Sequence, residues 1–330
     1  MVDFGAVFAG KPVLITGGLG FIGSNLAHRL VELGAVVTIV DALFPDCGGN
    51  WFNIAGIEDR VEVHVLDIQD EAALGRLVRE KAFLFNLAGR VSHLDSMRNP
   101  YADLESNVRG HLSVLEACRR HNPEVKIVHA GTRQVYGRPC YLPVDESHPP
   151  NPVDINGVNK LAGELYHIVY HRAYGLRTAS LRLTNTYGPR MWVRDSRLTF
   201  IGWWIRRVVE GQELEIFGDG RQIRDFNYVD DVVEALLLAA ANPVAEGQIY
   251  NLGGEPISLL DLARLLVEVN GGGSYRLVPF PPERNRIDIG DFCGDSTRIR
   301  DQLGWRPRVS LREGLARTLA YYREYHRYYW

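Results

Sequence analysis

Thr16-Gly17-Gly18-Leu19-Gly20-Phe21-Ile22-Gly23 is the stretch that decides the fold. The short apolar run Val13–Thr16 leads into it, and Phe21–Leu33 leaves it with apolar residues at helical spacing. A glycine-rich turn between a strand and a helix suits a pyrophosphate. One glycine allows the tight turn, one lets backbone approach the phosphates, and one permits close packing of helix on strand. The helix N-terminus adds free N–H groups and partial positive charge. Gly17, Gly20 and Gly23, with Phe21 and Ile22 of the first helical turn, are therefore predicted to line a dinucleotide site.

The next apolar run, Val36–Val40, ends at Asp41, at about the ~20-residue distance expected of a ribose-binding acid. A carboxylate there accepts both hydroxyls of the adenosine ribose and repels a 2′-phosphate. No arginine immediately follows it, so NAD is favoured over NADP. Asp67, after the run Val61–Leu66, is placed to meet the adenine.

Further strands are predicted at Phe83–Leu87, Val125–Ala130 and Arg177–Leu183, with helices at Glu71–Arg79, about Tyr101–Arg120 and about Lys160–Tyr174. Strands apolar throughout and alternating with helices indicate a parallel sheet covered on both faces. After Pro189 the elements shorten: helices at Leu198–Glu210, Val229–Ala241, Leu259–Val269 and Leu311–Tyr325, and strands at Leu214–Phe217 and Gln248–Leu252. The expected architecture is α/β, a Rossmann-type doubly wound parallel sheet with a smaller C-terminal α/β substrate lobe. Residues 1–188 would form the cofactor domain, with a return segment near 230–252, and 189–330 mainly the lobe. The loops Pro45–Asn50, Arg138–Pro152 and Asn270–Arg286 are long enough to carry function.

A net charge of -3 over 330 residues gives no polybasic signal, which argues against nucleic acid or an anionic membrane as partner. No apolar run approaches the roughly 20 residues of a bilayer span. Cys47, Cys118, Cys140 and Cys293 are widely spaced and lack C-x-x-C pairing. That argues against a zinc site or disulfide framework, and no metal is expected. A strand, and no basic n-region or apolar signal core, follows the N-terminus, so a cytoplasmic enzyme is expected.

The chain resembles the extended short-chain dehydrogenase/reductases, specifically the NAD-dependent nucleotide-sugar epimerase/dehydratase group. The resemblance is carried by the Thr16–Gly23 turn, Asp67, Asn86-Leu87-Ala88-Gly89, Asn107 and Gly131-Thr132-Arg133-Gln134-Val135-Tyr136-Gly137. It continues through Lys160 with Glu164, Arg182–Arg190, Phe217–Asp231, Tyr250–Gly254 and Leu303-Gly304-Trp305-Arg306-Pro307. It implies that Ile68, Leu87 and Ala88 join the NAD site. It also implies that Thr132 bonds the reacting sugar hydroxyl and that Lys160 grips the nicotinamide ribose. Asn185 and Arg224 match positions on the nucleotide diphosphate, and Arg284 or Arg286 falls where another phosphate-binding arginine is often found. A homodimer through the helices near Tyr101–Arg120 and Asn156–Tyr174 is also implied.

Two departures stand out. The family's acid/base is a tyrosine four residues before the lysine, and here that position is Asn156. An amide cannot ionise, so it cannot act as general base. His93, in a segment that lines the sugar pocket in relatives, is a candidate stand-in, as is a desolvated Lys160. Tyr136 reads better as a packing residue, and Cys140 as inert. The second departure is Arg133-Gln134, where 4,6-dehydratases of the group carry an Asp-Glu pair that eliminates water. This makes dehydration a poor fit. Arg133 would face either an anionic sugar substituent or the loop acids Asp145 and Glu146. The leading reading is epimerisation of a nucleotide sugar at C4. Alternatives are a nucleotide-sugar oxidoreductase or decarboxylase, and a catalytically degenerate binding protein.

Overall fold

The computed structural model describes residues 2–330. The first element is a short helix, Phe4–Phe8, capped by Asp3. The strands that follow are β1 (Pro12–Thr16), β2 (Val36–Asp41), β3 (Val61–Val65), β4 (Phe83–Asn86), β5 (Lys126–Thr132) and β6 (Arg177–Leu183). Next come β7 (Asn185–Tyr187), β8 (Leu214–Phe217), β9 (Ile223–Tyr228), β10 (Ile249–Leu252), β11 (Glu255–Ser258) and β12 (Tyr275–Val278).

Seven strands form one sheet in the order β10-β6-β5-β4-β1-β2-β3, and every pairing in it is parallel. Successive side chains point to opposite faces of a strand. On β1, Val13 and Ile15 therefore enter one core with Ile39, Phe85 and Leu181. Leu14 enters the other, with Val40, Leu84 and Ile127. A sheet buried on both faces is a Rossmann-type α/β fold. The strand order reverses between β1 and β4, which opens the crevice where such sheets bind ligands.

The second lobe holds the sheet β11-β9-β7 and the pair β12-β8 around its own core. The chain returns to the large sheet through the helix Val229–Ala241 and β10. It returns again through Thr297–Leu303, whose Ile299 and Leu303 join the core that holds Val13 and Ile15.

Two helices differ from the sequence expectation. The helix read as starting near Lys160 begins at Ile155, because Asp154 caps it by accepting from the Gly157 N–H at 2.7 Å. The segment read as one helix from Tyr101 to Arg120 is Pro100–Leu104, a π-helical stretch Glu105–Arg109, and Gly110–His121. The π stretch turns Asn107 inward, where its amide donates to the Arg90 carbonyl (3.1 Å) and to Asp103 (3.0 Å). Such stretches are frequent at functional sites.

Candidate active site

The loops after β1, β2, β4 and β5 meet the second lobe around a cavity of about 350 Å³. At its floor Thr16 ties β1 to β4. Its hydroxyl donates to Asn86 (2.8 Å) and accepts the N–H groups of Leu87 (3.1 Å) and Ala88 (3.2 Å). The approach is close enough to exclude a side chain at Gly17, where φ is +70° and a Cβ would lie 2.9 Å from the Ala88 backbone. A Cβ on Gly23 would lie 2.2 Å from the Gly17 carbonyl oxygen. Gly20 caps the helix Phe21–Glu32 with no side chain covering its N-terminus. The first-turn N–H groups therefore face the cavity wall that Gly17, Gly20, Phe21, Ile22 and Gly23 form.

Asp41 is set at the end of β2 by the N–H groups of Leu43 (2.9 Å) and Leu19 (3.1 Å). Burial pushes its carboxyl above the ordinary aspartate value, and these backbone donors oppose that shift. Asp67 is steered by Gln69, whose N–H and side-chain amide it accepts at 2.9 and 3.1 Å. Asp41, Asp67, Ile68, Leu87 and Ala88 all line the cavity. An anion cradle followed by a paired-hydroxyl acceptor fits a dinucleotide without a 2′-phosphate.

Lys160, in the helix Ile155–Tyr174, is buried beside Gly89, where a Cβ would lie 2.7 Å from its Nζ. Desolvation lowers it to about 8, and the Asp103 carboxylate opposes that fall. Asp103 is buried and accepts hydrogen bonds from Asn107 (3.0 Å), Asn156 (2.7 Å) and Asn159 (2.8 Å). Asn156 also donates to the Arg90 carbonyl (2.9 Å). Both amide hydrogens of Asn156 are thus committed to a fixed network. It borders the cavity with its amide donors held by Asp103 and the Arg90 carbonyl.

His93 opens the short helix His93–Arg98 and faces the cavity. Its Nδ1 meets the Asp154 carboxylate in a short contact, and its Nε2 meets the Gln134 amide in another. The carboxylate makes Nδ1 the protonated nitrogen, and the amide N–H makes Nε2 the acceptor. Burial raises the Asp154 carboxyl, but the hydrogen bond from His93, the Gly157 N–H and the nearby Arg133 outweigh it and hold it below the ordinary value. Thr132 stands beside this pair at the end of β5, its hydroxyl accepting the Gln134 N–H at 3.2 Å.

The other expected residues are distributed as follows. Asn185 and Arg133 line the cavity. Arg224, Arg284 and Arg286 lie outside its wall. Arg224 is buried, donating to the Ile223 carbonyl (2.8 Å) and to that of Gly290 and pairing with Asp288 (3.4 Å). Arg284 donates to the Ser196 hydroxyl (2.9 Å), and Arg286 is exposed. Tyr136 is buried, bonded to Asn251 (2.7 Å) and Arg182 (2.6 Å), as befits packing. Cys140 is exposed and outside the cavity. Sequence reasoning missed Asp154, the pairing of Gln134 with His93, and the cavity residue Trp192. It also missed His111, His129 and His167, three buried imidazoles whose ligand atoms lie within 4.8 Å of one another. Burial holds all three well below the ordinary histidine value, His167 at about 4.

The chain belongs to the NAD dependent epimerase/dehydratase family, which matches residues 13–253. It is 34% identical over 316 residues to a UDP-glucose 4-epimerase of Mycolicibacterium smegmatis, covering 94% of this chain and 98% of that one. It is 33% identical over 313 residues to a putative UDP-glucose 4-epimerase of Methanocaldococcus jannaschii, with 93% and 97% covered. The crystal structure of Thermotoga maritima UDP-glucose 4-epimerase with UDP-glucose superposes with a TM-score of 0.86 at 32% identity, covering 96% of this chain and 100% of that one. The Thermus thermophilus UDP-glucose 4-epimerase, solved in complex with NAD, superposes with a TM-score of 0.84 at 31% identity over 95% and 99%. The cofactor is NAD. Relatives about as similar carry other activities, among them a dTDP-glucose 4,6-dehydratase of Actinoplanes (31% identical, 94% and 97% covered) and a UDP-glucuronic acid decarboxylase of Xenopus tropicalis (30%, 95% and 72%). Among the described residues no helix is long and apolar enough to cross a membrane.

Proposed function

We propose that this protein epimerises a nucleotide sugar at C4 through a transient 4-keto intermediate, with the His93–Asp154 pair as acid/base in place of the missing tyrosine. The observation that carries the reading is the placement of His93. It faces the cavity beside Thr132 with its outer nitrogen as acceptor, backed by a buried carboxylate. Bound NAD supplies the hydride acceptor and later the hydride donor. Thr132 orients the C4 hydroxyl, and His93 Nε2 takes its proton as the Gln134 amide gives way. Asp154 stabilises the imidazolium so formed. Lys160 places positive charge beside the reacting centre. When the ketose has turned in the cavity, His93 returns the proton to the oxygen. Asn185, on the cavity wall, holds the nucleotide side of the substrate, while Arg224, Arg284 and Arg286 lie outside that wall and Arg224 is already satisfied by Asp288 and two carbonyls.

The replacement of the Asp-Glu pair by Arg133-Gln134 supports epimerisation over 4,6-dehydration. Four unpaired cysteines support a reducing, cytoplasmic setting. Exposed Val158, Leu165 and Val169 on one helix, near exposed Tyr101 and Leu104 on another segment, support a homodimer.

The test is NMR of a nucleotide-sugar panel with purified enzyme and no added cofactor. Isomer formation without NADH build-up is expected, and stoichiometric NADH overturns the reading.

A further inference from the structure

We infer that Arg133 is a carboxylate receptor, and that the sugar this enzyme acts on is a nucleoside diphosphate hexuronate. The inference rests on the reading that the sugar lies between Thr132 and His93.

Arg133 directly follows Thr132 and forms part of the same cavity wall as Thr132, His93 and Gln134. Its guanidinium lies 5.0 Å above the ring of Phe292, a fully buried residue, so one face rests on a rigid apolar support. The two loop acids within reach in sequence are occupied elsewhere. Asp145 accepts from the Tyr141 hydroxyl (2.8 Å) and the Ser147 N–H (2.9 Å). Glu146 accepts the Asn251 N–H (2.8 Å) and pairs with Arg298 (3.6 Å). No ion pair joins Arg133 to any carboxylate among the described residues, although Asp154, Asp225 and Asp288 lie in its field.

A half-buried guanidinium with one face supported and no hydrogen-bond or ion-pair partner keeps its donors free for a ligand. Burial and the neighbouring Arg224 both work against its charge, lowering it to about 10. Such a site gains most from an anion brought by the ligand, and the planar fork matches a carboxylate through two hydrogen bonds. Arg224 does not share this property, since Asp288 and two carbonyl groups already satisfy it. The anion that meets Arg133 therefore belongs to the part of the substrate beside Thr132 and His93, which is the sugar ring. On a hexose the ring substituent that carries negative charge is a C6 carboxylate.

The experiment is calorimetric binding to the NAD-loaded enzyme. The probes are the nucleoside diphosphate, its neutral hexose and its hexuronate, in the uridine, thymidine, cytidine and guanosine series. In at least one series the hexuronate is expected to bind about 10- to 100-fold tighter than the neutral hexose, the range of a charge-assisted pair. Arg133→Gln should erase that advantage and leave the free diphosphate unchanged, and Arg133→Lys should restore part of it. No hexuronate advantage in any series overturns the inference. So does an Arg133→Gln variant that weakens the diphosphate alone by as much, because Arg133 would then be a phosphate ligand. Binding also separates the two proposals. A hexuronate that binds through Arg133 yet yields a pentose and carbon dioxide leaves the receptor standing and overturns C4 epimerisation.

Discussion

Asp154 holds His93 through one carboxylate oxygen while the other accepts the Gly157 N–H at 2.7 Å, so one side chain both starts a helix and orients the imidazole. The helix it starts carries Asn156 and Lys160, which fixes the histidine relative to the lysine. Replacing Asp154 by Asn keeps a capping oxygen but removes the charge that stabilises the imidazolium. We expect Asp154→Asn to fold, to retain NAD, and to lose roughly 10²- to 10⁴-fold in kcat, the usual worth of a positioned acid/base. Steady-state kinetics with circular dichroism checks it.

We expect Lys160 to set an alkaline limb. Its ammonium is lowered to about 8 by desolvation, so it loses its charge as pH rises through that value. Activity should fall above about pH 8 in kcat/KM, which reports the free enzyme. Lys160→Arg should carry the limb to higher pH, because a guanidinium stays protonated. An unchanged limb in that variant would remove Lys160 as its source.

How much of this was legible in sequence depends on distance along the chain. The Gly17–Gly23 turn and Asp41 were readable because they lie within one strand–turn–helix–strand unit. The lobe strands β7, β11 and β12 went unread because they are three or four residues long, and the six-residue β9 because it lacks apolar alternation. His93 was readable as a candidate, but its partners are Asp154 and Gln134, far along the chain and joined to it only when β4 and β5 pair side by side. The cluster of His111, His129 and His167 left no signal, since each lies on a different element. Asn156 was conspicuous as a missing tyrosine, yet its actual bond to Asp103 depends on the π-helical neighbourhood that no periodicity announces.

That bond makes Asn156 a stability determinant. Asn156→Asp would set a carboxylate against the buried Asp103 in place of a donor. Repulsion raises the new acid's value above that of the unfolded chain, so the native state binds more protons and stability falls as pH rises through the interval. The variant should be destabilised by about 1–3 kcal/mol at neutral pH and recover as pH falls. Urea titrations at several pH values between the two limits measure it.

Glu164 and Arg182 form a buried pair, with Nη2 and Nε donating to the two carboxylate oxygens at 2.6 and 2.9 Å. Arg182 also lies 4.6 Å over the Tyr136 ring, tying the pair to the wall behind Thr132. Removing one partner strands the other charge, so Glu164→Ala should cost about 3–5 kcal/mol in chemical denaturation. Replacing both by well-packed apolar residues should cost far less. A small loss in the single variant would show that water reaches the arginine.

The helix Ile155–Tyr174 buries Lys160 and Glu164 on one side and exposes Val158, Leu165 and Val169 on the other. Their spacing puts the three on one face, and Tyr101, 79% exposed, with Leu104 extends the apolar surface. A contact made by the same face on two copies closes on itself as a twofold dimer. Leu165→Glu with Val169→Glu puts charge at the centre of that contact without touching the cavity wall. Sedimentation should show a dimer for the native chain and a monomer for the double variant, with NAD still bound. A native monomer would show that the stripe has another use, and a charged variant that stays dimeric would place the interface elsewhere.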